Sequence, residues 1–411
     1  AAARQAEAES AQVVDFLIEL FQVNDPGTSR GETVTARELL DRGAERIRSR
    51  LGDQPLTRAR LLDTIGVVYR QLDLPAPAVP LLEEAVAIRE RELGPERPEV
   101  ATSLDHLGDV YWIGGDYPAA EKALERALAI REAAYGPDHL LVADVLDHLG
   151  SVYEIQAKYD RAQPLLERAL AIRERELGPE HEDVAASLDD LGILWLDQGD
   201  GARAEPYLRR ALAIREKVFG PDHPEVAVSA NGLAGALYYQ DKLEEALTYH
   251  ERALAIREKV YGPEGAPVAQ TLNNVANLYL DLHRDEEGEA ALLRARAIWE
   301  KVLGPSHARI GIVDFNLADL YRSRGELARA EALFRRTIEI WEGAYGAVHP
   351  RLALGIENLA GTLHDEGKSA EALALCRRAL AMQEELQGAD SEAATRLRAD
   401  CDAWSAGAGA R

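Results

Sequence analysis

The chain has 411 residues, of which 46% are apolar, and a formal net charge of −24 from 71 acidic and 47 basic residues. This excess of negative charge argues against binding to nucleic acids, which needs a cationic face, and against anionic membrane surfaces. No run approaches the roughly 18 apolar residues of a membrane span, and no signal peptide is recognisable. The charge therefore serves solubility or attracts a basic partner.

For residues 1–55 the sequence predicts an N-terminal helical segment that contains a partial repeat. Ala36, Gly43 and Gly52 lie 42 residues before Ala78, Ala85 and Gly94, so residues 34–51 predict the second helix of a partial unit. Residues 5–23 predict its first helix, and the connection between the two is longer and more irregular than the later turns. Because the chain begins at Ala1 and has a single methionine, Met382, we expect it to be a fragment of a longer protein.

From residue 56 to residue 388 the chain repeats itself every 42 residues without an insertion. Small residues mark the period at Gly66, Gly108, Gly150, Gly192, Ala234, Ala276, Ala318 and Ala360. Glycines mark the ends of the repeats at Gly94, Gly136, Gly178, Gly220, Gly262, Gly304, Gly346 and Gly388. A fixed period of this length predicts stacked units, each too small to bury its own apolar face. The fold class predicted is an all-α solenoid of eight helical hairpins.

The repeat that begins at Pro98 shows how each unit is built. Proline suits the first turn of a helix, and apolar residues follow at helical spacing until two glycines interrupt them. A second helix then runs to Gly136, which predicts a left-handed C-cap. The short turn predicts an antiparallel hairpin, in which we expect Gly108 to face Ala120 and Ala127 so that the two backbones approach closely.

Residues 389–411 depart from the period. Residues 391–404 predict a last helix that caps the exposed core, and residues 405–411, rich in Gly and Ala, predict a disordered tail. Cys376 and Cys401 are the only cysteines, which gives no disulfide framework and favours a reducing compartment. We expect Cys376 to be packed on a second helix.

The order of small and large residues resembles the tetratricopeptide repeat, as in Leu107-Gly108, Tyr111, Gly115, Ala120 and Ala127. The repeat length and segments such as residues 213–227 look like the kinesin-light-chain subtype over about residues 60–390. This resemblance implies a right-handed superhelix whose first helices line a concave groove that binds a protein or peptide.

A second resemblance concerns residues 12–51, which are similar to the segment after the kinase and membrane-anchor regions of bacterial serine/threonine kinases with repeat tails. It implies a cytoplasmic docking or regulatory region of such a kinase, whose parent protein would be membrane-anchored. The chain itself has no kinase signature, so we expect no catalysis from it. The alternatives are a stand-alone adaptor or a module that self-associates into a homo-oligomer.

One row of side chains on the first helices is expected to face the groove. Three residues before the small marker, this row reads Asp63, Asp105, Asp147, Asp189, Asn231, Asn273, Phe315 and Glu357. On the resemblance, the four aspartates form an acidic stripe that could act together on a basic peptide. The alternative is a solvated row that duplication of the repeat has retained.

A second set of candidates carries amides and aromatic rings. Kinesin-light-chain-like arrays hold a peptide backbone with groove asparagines, because an amide both donates and accepts. Similar residues here are Asn231, Asn273, Asn274, Asn316 and Asn358. Trp112 and Tyr238 lie further along the same helices, where they either stack on a ligand side chain or pack internally.

The remaining candidates favour structural roles. One histidine per repeat precedes a first helix, at His139, His181, His223, His307 and His349. Residues in successive repeats are too far apart to converge on a metal ion, so capping or loop packing is predicted, with no metal and no cofactor. Gly367-Lys368-Ser369 resembles the end of a phosphate-binding loop, but Thr362 stands where that loop needs glycine, so a turn is predicted.

Overall fold

The computed structural model describes residues 35–408 and shows a succession of α-helices there. The chain divides into two compact units, Ala1–Gln198 and Gly199–Arg411. The described helices of unit 1 are α1 Ala36–Arg50, α2 Pro55–Gln71, α3 Pro75–Leu93, α4 Pro98–Ile113, α5 Tyr117–Tyr135, α6 Leu140–Ile155, α7 Tyr159–Leu177 and α8 Glu182–Asp197. Those of unit 2 are α9 Gly201–Phe219, α10 Pro224–Tyr238, α11 Leu243–Tyr261, α12 Ala266–Asp281, α13 Asp285–Leu303, α14 Ala308–Ser323, α15 Leu327–Tyr345, α16 Pro350–Asp365, α17 Ser369–Gln387 and α18 Glu392–Ala408. The all-α repeat fold predicted from the sequence is confirmed.

Unit 1 is a stack of antiparallel hairpins, α2 with α3, α4 with α5 and α6 with α7. Each second helix also packs on the first helix of the next hairpin, so neighbouring hairpins complete each other's core. Glycine permits the close approach within a hairpin, because a Cβ built at Gly108 would lie 2.5 Å from Leu124 Cγ. Leu124 therefore meets Gly108 most closely, and Ala120 and Ala127, which were expected to face Gly108, are fully buried on the same helix one turn before and one turn after Leu124.

Unit 2 continues the same pattern with four hairpins, α10 with α11, α12 with α13, α14 with α15 and α16 with α17. Helix α9 packs on α10 at the start of the unit, and α18 packs on α17 at its end. Large aromatic side chains fill the later part of this core, including Trp299, Phe334 and Trp341. The first helices of this unit begin at proline or after a histidine cap, except α12, which begins at Ala266 after Gly265, and the second helices end at glycine.

The glycines that end the second helices have positive φ, as the sequence predicts, but an extended ψ. Gly136 has φ 89° and ψ 161°, and Gly220 has φ 84° and ψ 162°. These values lie outside the left-handed helical region and in a part of backbone space that is essentially restricted to glycine. The conformation turns the chain sharply away from the second helix and toward the next hairpin.

The C-terminal end differs from the sequence-based expectation in two respects. Helix α18 continues through residues 405–408, which were predicted to be disordered. Cys376 on α17 and Cys401 on α18 form a disulfide, so the expectation of two free thiols, and the reducing compartment inferred from it, are not supported. Trp404 also stacks on His364, with ring centroids 4.5 Å apart. The last helix is therefore tied to the array by a covalent bond and by packing.

At the N-terminal end, α1 matches the predicted second helix of a partial repeat. Thr35 and Glu38 form a capping box at its start. The Tyr69 hydroxyl of α2 donates to Asp41 Oδ1 at 2.6 Å, which holds α1 against the first hairpin. The predicted helix over residues 5–23 and the irregular connection that follows it lie outside the described residues.

Candidate functional site

The aspartate row of unit 1 is buried and engaged in ion pairs. Asp105 Oδ2 lies 3.0 Å from Arg131 Nη2 of the same hairpin, and Asp105 Oδ1 lies 2.7 Å from His148 Nδ1 of the next hairpin. Asp63 makes the equivalent contact with His106 at 3.0 Å. Asp189 is buried at the corresponding position on α8. The row therefore joins successive hairpins, and the expected solvent-facing acidic stripe is not what the structure shows.

These contacts set the ionisation of the carboxyl groups. Burial alone raises the pKa of Asp105, but the hydrogen bond and charge of His148, together with Arg131, outweigh it and leave the pKa lowered. The same balance, with His106 and Arg89 as partners, lowers the pKa of Asp63. Both carboxylates therefore stay charged at neutral pH and are neutralised by cations of the protein itself.

Asp147 differs from Asp63 and Asp105 in its ionisation. Its Oδ2 pairs with Arg173, which also pairs with Asp144 at 3.1 Å, while its Oδ1 is buried without a hydrogen-bond partner. Burial raises the pKa of Asp147 to about 7 despite the charge of Arg173, and the charge of Asp190 adds to the rise. The guanidinium of Arg173 thus pairs with two carboxylates, those of Asp144 and Asp147.

The first asparagine of the row, Asn231 in unit 2, has a similar internal role. With its amide oriented so that both neighbours are satisfied, its nitrogen donates to His250 Nδ1 at 2.8 Å and its oxygen accepts from Arg257 at 3.1 Å. Burial and the charge of Arg257 lower the pKa of His250 to about 4, so the imidazole is neutral and can accept this bond. Asn231 therefore contacts Arg257 from the row position that holds aspartate in the earlier repeats.

The following asparagines form a connected group between α12 and α14. Asn316 Nδ2 donates to Asn273 Oδ1 at 3.2 Å and to Asn277 Oδ1 at 3.0 Å. Asn273 is buried, Asn274 and Asn316 are half-buried, and Asn277 is exposed. Asn277 was missed in the sequence, although it lies one helical turn after Asn273 and hence on the same face. The predicted Asn358 instead donates to Leu354 O of its own helix at 3.0 Å.

A cleft of about 460 Å³ in unit 2 brings several of these groups together. It is lined by Asn231, Gly235, Tyr238, Tyr239, His250, Asn274, Asn277 and Leu278. Tyr238 and Tyr239 are 43% and 56% exposed and lie edge to face, with ring centroids 6.1 Å apart. The arrangement offers amide donors and acceptors beside open aromatic surface.

A smaller hollow of about 270 Å³ in unit 1 contains the predicted Trp112, whose side chain is 37% exposed. The hollow is lined by Asp109, Trp112, Leu124, Asp147, His148, Ser151 and Asp190. The structure thus brings Trp112 and Asp147 together in unit 1, and Asn231, Asn274 and Tyr238 together in unit 2.

The histidines that precede first helices are helix caps, as predicted. The Nδ1 atom of His307 accepts from the Arg309 backbone N–H at 3.2 Å, and His139, His181, His223 and His349 cap their helices in the same way. Within residues 35–408, no group of three or more potential ligands is placed to hold a metal ion. Gly367 has φ 81° and Lys368 is the N-cap of α17, which confirms that this triplet forms a turn.

A row of arginines was the main feature missed in the sequence. An arginine recurs 26 residues after each of the first five positions of the row, at Arg89, Arg131, Arg173, Arg215 and Arg257, and the first three of these arginines pair with the aspartates of the row. Within unit 1, Arg89 also contacts Ser103, and Arg173 contacts Ser187 at 2.6 Å, both on the next first helix. The 42-residue spacing of these arginines was a signal as regular as that of the glycines.

Stacked helical hairpins of uniform length, joined by these recurring polar contacts, define a helical repeat protein. The model of the tetratricopeptide repeat matches residues 57–133, 99–175, 141–200, 194–259, 267–343 and 309–385. The chain belongs to the tetratricopeptide-repeat family. Among the described helices, none combines the length and apolarity needed to cross a bilayer.

Solved structures with similar folds come from several proteins. Nearly identical tetratricopeptide-like repeats of a Podosopora anserina protein described as a kinesin light chain align with 28% identity and a TM-score of 0.45, over 50% of this chain and 96% of theirs. A Rap protein complexed with competence and sporulation factor aligns with 15% identity and a TM-score of 0.57, over 92% of this chain and 99% of its own. Aspartyl phosphate phosphatase F from Bacillus subtilis aligns with 14% identity and a TM-score of 0.54, over 93% and 96% of the two chains. The comparison with curated proteins yields no match.

Proposed function

We propose that this protein is a non-catalytic scaffold that binds an extended peptide segment of a partner protein in the cleft of unit 2. The observation that carries this proposal is the meeting of Asn274, Asn277, Tyr238 and Tyr239 around one cleft of about 460 Å³. An extended peptide presents one donor and one acceptor at each residue, and an asparagine side chain satisfies both.

The asparagines divide into supporting and contacting residues. Asn231 is hydrogen-bonded through both atoms of its amide, and Asn273 is buried, so they support the cleft. Asn274 and Asn277 accept bonds on their oxygens, from Gln270 and Asn316, and their amide nitrogens donate to no group within residues 35–408. Asn274 and Asn277 lie on the same helix, three residues apart, and both line the cleft. They are the residues we assign to the peptide backbone. The exposed faces of Tyr238 and Tyr239 supply apolar area for a ligand side chain.

The fold supports a binding role. A Rap protein with a similar fold was solved in complex with competence and sporulation factor, so an array of this kind can hold a partner molecule. At 15% identity this likeness concerns the fold alone. The ligand of the present chain is assigned from its own side chains.

Three finer assignments extend this proposal. The ligand carries basic residues, which suits a protein with a net charge of −24. The chain is the docking or regulatory region of a bacterial serine/threonine kinase, on the resemblance of residues 12–51. On the kinase assignment its place of action is the cytoplasm, and the Cys376–Cys401 disulfide, a bond more usual in oxidising compartments, is the observation that opposes this part of the proposal. The upstream gene sequence tests the kinase assignment directly, because it either encodes a kinase domain or does not.

Peptide selection on the full chain, followed by affinity measurements, tests the binding role. We expect Asn274→Ala and Asn277→Ala each to weaken the selected peptide roughly 10-fold, in line with loss of hydrogen bonds worth about 1–1.5 kcal/mol. Gln387→Ala is the matched control, because it removes an exposed amide at the end of α17. Affinities that are the same in all three variants would contradict the assignment of the cleft.

Self-association is a second candidate, favoured by a separate feature of unit 2. Val218, Val260 and Val302 recur at the ends of successive second helices, and all three are exposed. Such a repeated apolar row suits contact with a second copy. Sedimentation across a range of protein concentrations distinguishes the two functions, because only self-association predicts a mass that rises with concentration.

A further inference from the structure

One hairpin of unit 2 departs from the pattern of the repeats inside its own core. Position 250 on α11 belongs to a series of buried positions spaced by 42 residues, and the neighbouring members are Leu166, Leu208 and Leu292. The residue found here is His250, whose side chain is only 6% exposed. A polar ring in place of a core leucine is unfavourable unless its nitrogens are satisfied, so its hydrogen bonds indicate its role.

Only one of the two ring nitrogens of His250 is satisfied by the protein. In the amide orientation that satisfies both of its neighbours, Asn231 donates to Nδ1 at 2.8 Å, so the hydrogen of the neutral imidazole is on Nε2. Within residues 35–408 no group accepts a hydrogen bond from Nε2. Unlike Oδ1 of Asp147, this nitrogen is not sealed from solvent, and His250 lines the cleft of about 460 Å³. A nearly buried side chain thus presents an unused donor to the cleft.

The neighbouring Asn231 allows this imidazole to stay neutral. The equivalent residue of an earlier repeat is Asp105, and although burial lowers the pKa of its partner His148, the hydrogen bond and charge of Asp105 raise it to about 9. Asn231 has no charge, and burial together with the charge of Arg257 lowers the pKa of His250 to about 4. Asparagine in place of aspartate therefore leaves an uncharged donor whose hydrogen has a fixed position.

A glycine on the paired helix gives access to this donor. Gly235 lies on α10 one turn after Asn231 and lines the same cleft, whereas the two preceding repeats have Ser151 and Ile193 at this position. Glycine inside a helix is destabilising relative to alanine. The open space that it leaves beside the cleft explains why a residue without a side chain is found here.

The lining of the cleft indicates which kind of acceptor meets the donor. Among the described residues that line it, none has a charged side chain, because His250 is neutral. A carboxylate bound here would have no cation in contact with it, which is unfavourable in a partly buried site. The amide nitrogens of Asn274 and Asn277 also have no acceptor within the described part of the chain. The cleft therefore suits uncharged oxygen acceptors, and a peptide main chain supplies one at each residue.

We propose that His250 is a ligand-binding residue, and that its Nε2–H donates to an amide carbonyl oxygen of the peptide bound in this cleft. Asn231 orients the ring and fixes the position of its hydrogen, and Gly235 leaves the ring accessible. The carbonyl belongs to the main chain of the peptide or to an asparagine or glutamine side chain. This inference rests on the proposed function, because it takes the occupant of the cleft to be that peptide.

The probe is a library of heptapeptides with acetylated N-termini and amidated C-termini, selected on the full chain, so that no peptide has a terminal charge. His250→Leu should weaken the best selected peptide about 10-fold, as expected for the loss of one hydrogen bond. His250→Gln should stay within about 3-fold of the original chain, since one amide can accept from Asn231 and donate to the ligand. Equal affinities in the original chain and His250→Leu, or equally weak binding in both variants, overturn the proposal.

A double variant separates binding from folding. Asn231→Asp with His250→Leu restores the two residues that the earlier repeats have at these positions, so urea denaturation should show a chain at least as stable as the original. The selected peptide should nevertheless bind at least about 10-fold more weakly. Gly235→Ile, which introduces the residue of the preceding repeat, should abolish binding by filling the cleft. A double variant that binds the peptide as tightly as the original chain overturns the proposal.

Nitrogen-15 NMR of labelled histidine gives a direct readout at the donor atom. The resonance of His250 Nε2, assigned by its absence in His250→Gln, should show a protonated nitrogen in the free chain and should shift when the selected peptide is added. An unprotonated Nε2, or a resonance that the peptide leaves unmoved, overturns the proposal. Alanine scanning of the peptide then identifies the source of the carbonyl, because only a side-chain amide is lost in such a scan.

The outcomes also separate this inference from the proposed function. Binding that depends on Asn274 and Asn277 but not on His250 retains the cleft and refutes the role of the histidine. Selection that succeeds only with free C-terminal carboxylates retains the binding role and refutes the uncharged acceptor. Selection that yields no peptide from either library refutes the proposed function and, with it, this inference.

Discussion

Arg131 Nη2 lies 3.0 Å from Asp105 Oδ2, and the two side chains are only 5% and 7% exposed. The pair connects the two helices of one hairpin, and the contact of Asp105 with His148 carries the connection to the next hairpin. Arg131 also donates to Leu141 O at 2.7 Å at the start of that hairpin. This network links neighbouring repeats through buried charge.

Arg131→Met should therefore destabilise unit 1 strongly. The substitution leaves Asp105 buried without its guanidinium, and loss of one partner of a buried pair costs about 3–5 kcal/mol. Urea denaturation, followed by circular dichroism, measures the change. Lys301→Ala is the control, because it breaks an exposed pair with Glu264 and should cost less than about 1 kcal/mol.

The double variant Arg131→Met with Asp105→Leu checks this explanation. Replacing a buried ion pair by apolar residues is often close to neutral, so most of the stability should return. If the double variant is as unstable as Arg131→Met alone, the cause is lost packing and not the stranded charge.

The sequence located the aspartate row but could not show its environment. The row was placed on the first helices correctly, whereas its neutralising partners come from the second helix and from the next repeat. Periodicity shows which residues occupy equivalent positions, and contact across a hairpin needs the packing geometry. The last repeats illustrate the point, because Phe315 replaces the aspartate and stacks on Trp341, which stands where the earlier repeats have arginine.

Gly108→Ala should destabilise the array, because the new Cβ would lie 2.5 Å from Leu124 Cγ in a fully buried contact. Overpacking of this kind costs about 1–3 kcal/mol. Gly343→Ala is the matched control, since Gly343 is exposed within α15 and a Cβ there meets nothing within 4 Å. The control should gain about 0.5–1 kcal/mol from helix propensity. Similar losses in both variants, measured by thermal unfolding, would refute the close-packing explanation.

The C-terminal end was predicted only in part, because the period of a sequence does not show which helices contact each other. A capping helix followed from the need to cover the last apolar face. The pairing of Cys376 with Cys401 depends on how α18 lies on α17, and two cysteines in 411 residues carry no spacing pattern. The asparagines that line the cleft share a helix face, which the sequence shows, but the hydrogen bonds that engage the oxygens of Asn274 and Asn277 and not their nitrogens are visible only in the structure.

Reduction of the disulfide should loosen the terminal helix. The bond closes a loop with a sequence separation of 25 residues, for which the chain-entropy estimate is about 3 kcal/mol. Hydrogen exchange of α18 should therefore become faster when a reductant is added. The variant with Cys376→Ala and Cys401→Ala should exchange quickly with or without reductant. Unchanged protection of α18 in the reduced protein would show that packing, including Trp404 on His364, is sufficient.

The stability of unit 1 should fall as the pH rises from about 6.5 to about 9. Burial opposes the charged imidazole of His148, but the hydrogen bond and charge of Asp105, with the charges of Asp109 and Asp147, raise its pKa from 6.5 to about 9. The folded state therefore binds more protons than the unfolded state in this interval, and the stabilisation is complete below 6.5 and lost above 9. Because the His148 side chain is 41% exposed, solvent screening limits the effect to about 1 kcal/mol.

His148→Gln removes the titrating group, and urea denaturation of both proteins between pH 6 and pH 10 isolates its contribution. The difference in unfolding free energy should shrink as the pH rises, since only the original protein loses a proton from this position. An NMR titration of labelled imidazoles should place the midpoint of His148 near pH 9 in the folded chain. A difference that stays constant across the interval would mean that Asp105 does not hold a charged imidazole, and that the two residues join their hairpins through a neutral hydrogen bond.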